Sequence, residues 1–485
     1  MAAWMCIALL LAVLSGLAQA RKHPPAVRII PAISLSNSAL PRTDPMILLV
    51  TALLLSQDPT PRQPDREPTQ QWPAWRGPLG TGEAPESDPP IDWSEDNNLL
   101  WKTALPGLGH STPVIWGNRL FLTWATPFGE QVAPAPETDP GAHNNPPVVQ
   151  AHRFEVAAFE RLTGALLWQV AVHTELPHER SHETGSFASA SPVTDGERLF
   201  AFFGSRGLYC LDLDGVVYWS KQLGQMRTKH HHGEGSSPVL YRDALVVNWD
   251  HEEESFVLCL DKSTGEERWR VSRDEATSWA TPIVVEVDGK AQVVISGTKR
   301  IRGYDLASGM EVWNSPGMAH NVVATPVYGD GILVAASSYE KQAMIGLRLA
   351  GAKGALAETD KLLWYRRRRT PYVPSPLLAD GWIHTLNHNQ GLFFSVDIQT
   401  GTSDSALRLD HLGDIFASPI AAGGRIYICD RSGMTAVLSQ SQPHKVLAWN
   451  QLADAFSASP IAVGQHLYLR GERFLYCLQH LTQKK

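Results

Sequence analysis

An all-β fold, an eight-bladed β-propeller of four-stranded repeats, is predicted by three features of this 485-residue sequence. First, a small hydroxyl residue followed by proline recurs at Thr112-Pro113, Ser191-Pro192, Ser237-Pro238, Thr281-Pro282, Thr325-Pro326, Ser375-Pro376, Ser418-Pro419 and Ser459-Pro460. The successive prolines lie 79, 46, 44, 44, 50, 43 and 41 residues apart, and a near-constant period of this size marks a stacked supersecondary unit. Second, each copy continues with a short β-prone stretch, a Gly/Asp/Asn turn and an apolar strand, as in Gly117 to Phe121 and Gly196 to Phe200. Third, a Thr-Gly or similar turn leads to tryptophan four residues on, at Gly164/Trp168, Gly215/Trp219, Gly265/Trp269 and Gly309/Trp313.

In chain order, Trp4 to Leu14 is an apolar run followed by Ala18-Gln19-Ala20, the form of a signal-peptidase site, so residues 1–20 are expected to be a signal peptide. Met46 to Leu55 is a second apolar run, and 46–56 is the alternative signal if Met46 is the start. Neither run reaches the roughly 18 to 20 residues that span a bilayer. Both runs therefore favour export to the periplasm or beyond, or at most a membrane anchor, and secreted material that retained Met1 or Met46 would contradict export. Residues 21–70 end in the Pro-rich, polar stretch Gln57 to Gln71 and are expected to be a linker. Residues 71–480 form the propeller, with a tail at 481–485. The large first interval places an inserted loop at Trp124 to Ala151. Within a copy, the strand Leu208 to Leu211 or Phe256 to Leu260 comes third, and the Trp ends the fourth. The last copy stops at Phe474 to Leu478 with three strands, whereas Asn98 to Lys102 is an orphan strand ahead of the first copy. The N-terminal strand is expected to complete the last blade and so remove two open sheet edges.

A formal net charge of −7 with 43% hydrophobic residues suits a large core and lacks the basic excess that neutralises phosphates. Nucleic acid is thus excluded as the main partner. Five cysteines without a CxxC or adjacent pair exclude a zinc ribbon and a disulfide scaffold. Cys210, Cys259 and Cys477 share one position in the third strand, so a fixed blade geometry keeps them apart as buried thiols.

The Gly-x-x-x-Trp spacing, with Ala158 ahead of Gly164 and Trp168, resembles the tryptophan-docking motif of pyrroloquinoline quinone (PQQ) dehydrogenases. The chain from about Trp72 to Gln479 is accordingly similar to a PQQ-like repeat propeller. Trp72-Pro73-Ala74-Trp75-Arg76-Gly77-Pro78, Gly233 to Pro238 and Pro371 to Pro376 resemble exported PQQ-like proteins of planctomycete-type bacteria. That architecture is shared with the propeller subunit of the outer-membrane β-barrel assembly machinery, which implies a protein partner and association with the outer membrane. In the dehydrogenases, the resemblance implies PQQ on the axis between a Trp and a disulfide of adjacent cysteines, Ca²⁺ held by Glu, Asn or Asp, and an Asp base. Trp279 could serve as the platform, but this chain has no adjacent-cysteine pair.

In a propeller whose first strand is innermost, the lead-ins to that strand and the loops between second and third strands share one face. The second-to-third-strand loops bring Asp250, His251, Lys299, Tyr339, Lys341, Asn387, His388 and Asp430 there, and the lead-ins bring His232, Glu234, Trp279, Asn321, Arg369 and Tyr372. These residues are the candidates for ligand binding around an axial funnel, the usual place for a ligand in a closed barrel. His230 to His232 together with Asp250 to Glu254 offer metal-ligand chemistry, yet adjacent residues of an extended segment point to opposite faces, so no metal set is assigned. No GxSxG, HExxH or P-loop is present. The expected function is an extracytoplasmic, non-catalytic platform for a protein, peptide or glycan, with no cofactor; the alternative is a PQQ- and Ca²⁺-dependent oxidoreductase.

Overall fold

The computed structural model describes residues 68–481; the signal-peptide and linker assignments lie outside the described residues, apart from the last few linker positions. Eight sheets of four meandering antiparallel strands are arranged as eight blades. Blade 1 comprises Val114–Trp116, Arg119–Phe128, Ala151–Glu160 and Leu166–Glu175. The inserted loop joins its second and third strands, which are lengthened to ten residues each. Blades 2 to 7 begin at Val193, Val239, Ile283, Val327, Leu377 and Ile420. The eighth sheet holds Ile461–Val463, His466–Arg470 and Phe474–Leu478, and its outer position is taken by Leu99–Ala104, which pairs antiparallel with Phe474–Leu478. Two short additions pair in parallel, Glu83–Ala84 with Ile420–Ala422 and Gly354–Ala355 with the outer strand of blade 4.

The burial pattern follows from stacking. Middle strands are covered on both faces, so Ala244–Trp249 and Ile332–Ser337 are buried at every position. Outer strands alternate, as in Leu166–Glu175. Apolar residues from neighbouring blades meet in shared clusters: Phe121 and Phe154 of blade 1 with Leu199 and Tyr209 of blade 2, and Ile301 of blade 4 with Leu333 and Ile345 of blade 5. The core is therefore a series of seams between blades, and a blade has little core of its own.

The tryptophans tie these seams. The indole Nε1 of Trp101, Trp168, Trp219, Trp269 and Trp364 each donates to a backbone carbonyl of the following blade, at 2.9–3.1 Å. The ring lies on that blade's turn glycine: a Cβ on Gly164 would stand 2.5 Å from Trp101, and one on Gly215 2.9 Å from Trp168. These glycines hold φ near +70 to +90°, so both the conformation and the close approach require glycine. Trp313 differs, donating to Gln292 Oε1 within its own blade.

The hydroxyl residue before each proline has an equally physical role. Thr112 N–H donates to Ser191 Oγ, Ser191 N–H to Ser237 Oγ, and so on through Thr281, Thr325, Ser375, Ser418 and Ser459, whose N–H returns to Thr112 Oγ1. Eight hydrogen bonds of 2.8–3.3 Å thus form a closed ring around the axis. The four described cysteines sit in strands, Cys210, Cys259 and Cys477 in third strands and Cys429 in a second strand. Burial pushes the Cys210 and Cys477 thiols up to about 12.

Candidate functional site

On the lead-in face the axis opens into a cup of about 400 Å³. Its wall takes residues from the lead-ins of all eight blades: His110; Ser186 and Ser189; His232 and Glu234; Trp279; Asn321 and Val323; Tyr372 and Val373; Phe416; and Ser457. Tyr339 adds a side chain from a second-to-third-strand loop and His143 one from the inserted loop. Ser191, Ser237, Thr281, Thr325 and Ser375 of the hydrogen-bonded ring lie at the base.

Trp75 lies at the base too. Its Nε1 donates to Thr325 Oγ1 at 3.0 Å, while the neighbouring Arg76 Nη2 donates to the carbonyls of Pro376 and Pro419. Trp72 pairs with Ile115 of blade 1, and Thr194 N–H of blade 2 donates to Pro73 O. The segment Trp72 to Gly77 therefore crosses the axis. Arg76 is fully buried without a carboxylate partner, and burial lowers its pKa to about 9.

One side of the cup is aromatic. Tyr339 and Tyr372 stack with centroids 5.5 Å apart, and the ring of His388 meets Tyr372 edge-on at 4.9 Å. Asn321 bridges Lys229 Nζ, 2.9 Å from its Oδ1, and Tyr372 OH, 3.2 Å from its Nδ2. Trp279 is held by its Nε1 donating to Gly233 O at 2.7 Å. The opposite side is imidazole. His232 lies 4.7 Å from His143 and 4.9 Å from His182, ring centre to ring centre. Burial, reinforced by His182 and His143, brings His232 down to about 4, so it is neutral at pH 7. Just below, Arg206 clamps Glu234 at 3.0 Å and Glu175 at 2.9 Å, while burial pushes Glu179 up to about 7.

Of the fourteen sequence candidates, His232, Glu234, Trp279, Asn321, Tyr339 and Tyr372 line the cup, and His388 touches it through Tyr372. Asp250 lies deeper, in a bidentate ion pair with Arg273 whose two side chains are both 0% exposed. His251 is buried, its Nδ1 accepting from Arg227 N–H and its Nε2 facing Glu254 O. Asp430 is fully buried and accepts the N–H groups of Gly413, Ser432 and Met434. Lys299, Lys341 and Arg369 are exposed at the rim, and Asn387 ends a blade 6 strand. The His230 to His232 run is not extended: His230 and His231 adopt φ of +56° and +53° and turn a ring nitrogen to Asp139 and Glu137, while the His230 ring stays 5.5 Å from that of His232. Trp75, His110, His143 and His182 join the cup unannounced by the loop reading. His182 sits in the blade 2 lead-in, so the lead-in rule could have found it; His143 needed the path of the inserted loop.

A second polar cluster lies at the seam between blades 6 and 7, His384 and Ser395 coming from blade 6 and His444 from blade 7. Ser395 Oγ is 2.7 Å from His444 Nε2, the spacing of a nucleophile and its base. Ser395 is 0% exposed, however, and its Oγ also meets His384 Nδ1 at 2.8 Å, so no substrate reaches it. Burial and the neighbouring His444 bring His384 down to about 3. An unfolded histidine titrates near 6.5, so below that pH the unfolded chain binds a proton that the folded one refuses, and stability falls with pH. For His384 the expected loss at pH 5 is about 2 kcal/mol. Denaturation midpoints between pH 7.5 and 5 should show a slope that His384→Gln reduces; an unchanged slope would contradict it.

Fold and site define an eight-bladed, PQQ-type propeller with an axial cup. The chain belongs to the family described as outer membrane protein assembly factor BamB, which matches residues 152–406. Among solved structures, quinohemoprotein alcohol dehydrogenase from Comamonas testosteroni is similar at 10% identity, covering 87% of this chain and 82% of that one with a TM-score of 0.57. BamB from Moraxella catarrhalis is 15% identical, covering 74% and 97%, with a TM-score of 0.47. A europium-containing methanol dehydrogenase is 11% identical, covering 83% and 89%, with a TM-score of 0.44. At 10% identity the likeness to the alcohol dehydrogenase is one of fold alone. No curated protein matches the chain. No helix among the described residues is long and apolar enough to cross a membrane.

Proposed function

We propose that this propeller is a non-catalytic binding platform outside the cytoplasm whose axial cup receives a short segment of a partner polypeptide. The observation that carries the reading is the cup itself: about 400 Å³, walled by all eight blades, with Trp75 at its base and aromatic faces beside hydroxyls and imidazoles. That size and mixture suit a ligand of a few residues, held by stacking and a few hydrogen bonds. Membership of a family described as an assembly factor supports a protein partner. Ala18-Gln19-Ala20 supports export.

The donor chemistry counts against PQQ with Ca²⁺. Hard Ca²⁺ takes carboxylate and carbonyl oxygens, but Glu234 is clamped by Arg206, Asp250 by Arg273 and the Asn321 Oδ1 by Lys229, and the remaining wall side chains are imidazole, phenol, hydroxyl and apolar groups. The described cysteines are all buried in strands.

A peptide array read by fluorescence anisotropy tests the proposal. Binders are expected to weaken at least about tenfold in Trp279→Ala and Tyr372→Ala, a loss of roughly 1.4 kcal/mol, and to be unaffected by Lys341→Ala. An array without binders, beside a glycan array with them, would replace the polypeptide by a glycan. Turnover of an alcohol with an electron acceptor by the PQQ- and Ca²⁺-loaded protein would overturn the non-catalytic reading.

A further inference from the structure

We infer that His143, His182 and His232 form a binding site for a borderline divalent cation of the Zn²⁺ class, with its remaining coordination position open to the cup. One nitrogen from each ring lies within 4.8 Å of the others. An ion with Zn–N bonds of about 2.0–2.1 Å needs its ligand atoms roughly 3.4 Å apart in a tetrahedral array, so side-chain movements of about 1 Å complete the set. Three imidazoles without a carboxylate among them select Zn²⁺-like ions over Ca²⁺ and Mg²⁺, which require oxygen.

The rings are aimed. His143 Nδ1 lies 2.8 Å from the Gly141 carbonyl, to which it donates, leaving Nε2 as the ligand atom. His182 Nδ1 accepts the Thr184 N–H at 3.2 Å and lies 2.8 Å from Thr184 Oγ1; an ion at Nε2 selects the tautomer whose Nδ1–H donates to that hydroxyl. Backbone or hydroxyl acceptors behind metal-bound imidazoles fix tautomer and orientation in this way. His232 Nε2 is buried and has no hydrogen-bond partner, which is costly for a polar atom unless something binds it.

The backbone around the three residues is also joined. Glu183 N–H donates to Asn144 O at 2.7 Å, linking the neighbours of His182 and His143. His182 N–H points to His232 O at 3.4 Å, and Asn145 Nδ2 donates to His230 O at 2.7 Å. Meanwhile His230 and His231 each face a carboxylate, Asp139 and Glu137, so of the triple-histidine run only His232 supplies a ligand atom, with the His230 ring packed beside it. Three segments far apart in sequence thus converge on one point, and a bound ion would pin the inserted loop beside the cup.

The test uses the full-length protein, stripped with chelator and titrated with Zn²⁺ by calorimetry. One equivalent is expected, lost in His143→Ala and in His232→Ala and weakened about tenfold in Thr184→Ala. Co²⁺ should give the intense visible absorption of a tetrahedral nitrogen site, absent in His182→Ala. His143 is exposed, so its replacement leaves folding intact and an unaltered circular dichroism spectrum separates loss of site from loss of fold. Stoichiometric Zn²⁺ binding that survives His143→Ala and His232→Ala, or no binding by the parent protein, would overturn the inference. Neither readout involves peptide, so the site stands or falls separately from the cup's proposed ligand.

Discussion

Asp250→Ala is expected to destabilise the propeller by about 3–5 kcal/mol, because it leaves the Arg273 guanidinium buried without its counter-charge. Asp250 accepts Arg273 Nε at 2.7 Å and Nη2 at 3.0 Å, takes a third hydrogen bond from Ser278 Oγ at 2.6 Å, and both charged side chains are shielded from water. Tyr304 OH, 2.7 Å from Nη1, completes the arginine's partners but carries no charge to replace Asp250. Urea denaturation of the variant gives the measurement. The double variant Asp250→Leu, Arg273→Met should recover much of the loss, since removing both charges removes the desolvation cost as well. A parent-like midpoint for Asp250→Ala would mean that the pair is not sealed.

Trp101→Ala is expected to cost a similar amount, about 3–5 kcal/mol, the range for deleting a large buried aromatic. Trp101 belongs to Leu99–Ala104, the strand that enters the eighth sheet from the far end of the chain. It is 9% exposed, lies against Gly164 of blade 1 and Tyr468 of its own sheet, and donates to Arg161 O at 3.1 Å. Its loss would open the seam between blades 8 and 1 and leave the buried Arg161 carbonyl with only the longer contact from Tyr468 OH. Leu166→Ala is the control: that side chain is 51% exposed, and its removal should fall within about 0.5 kcal/mol. If both variants unfold at one urea concentration, the seam contributes nothing special.

The blades were legible because their signals are local and repeated. A hydroxyl residue before proline, a turn glycine and a tryptophan four residues later each serve a bond made once per blade, so eight imperfect copies reinforce one another. The cup was legible mainly where a lead-in carries the residue, as with His232, Trp279, Asn321 and Tyr372, and among the second-to-third-strand loops at Tyr339. Asp250, His251 and Asp430 have the residue types of a ligand site but satisfy loop backbone or a buried arginine, and their partners are fixed by three-dimensional proximity that spacing does not encode. Arg273, for example, reaches Asp250 from the lead-in to blade 4. His143 escaped for a related reason: an inserted loop has no repeat to align with, and its course is set by bonds such as Asn145 Nδ2 to His230 O.

The ring of Ser and Thr hydroxyls also acts as a counter. Every blade gives one N–H to the next and takes one from the previous, and the following proline has no N–H with which to substitute. Removing or inserting part of a blade would leave a buried donor without its acceptor, so nothing short of a whole unit carrying both halves of the bond can be exchanged. A change in blade number must also reset the spacing around the entire circle and, with it, the base on which Trp75 rests. The chain's arithmetic of repeats is thus enforced at the axis, by eight small side chains, more strictly than in the connections between strands, where the inserted loop of blade 1 and the extra strand of blade 4 show how freely material can be added.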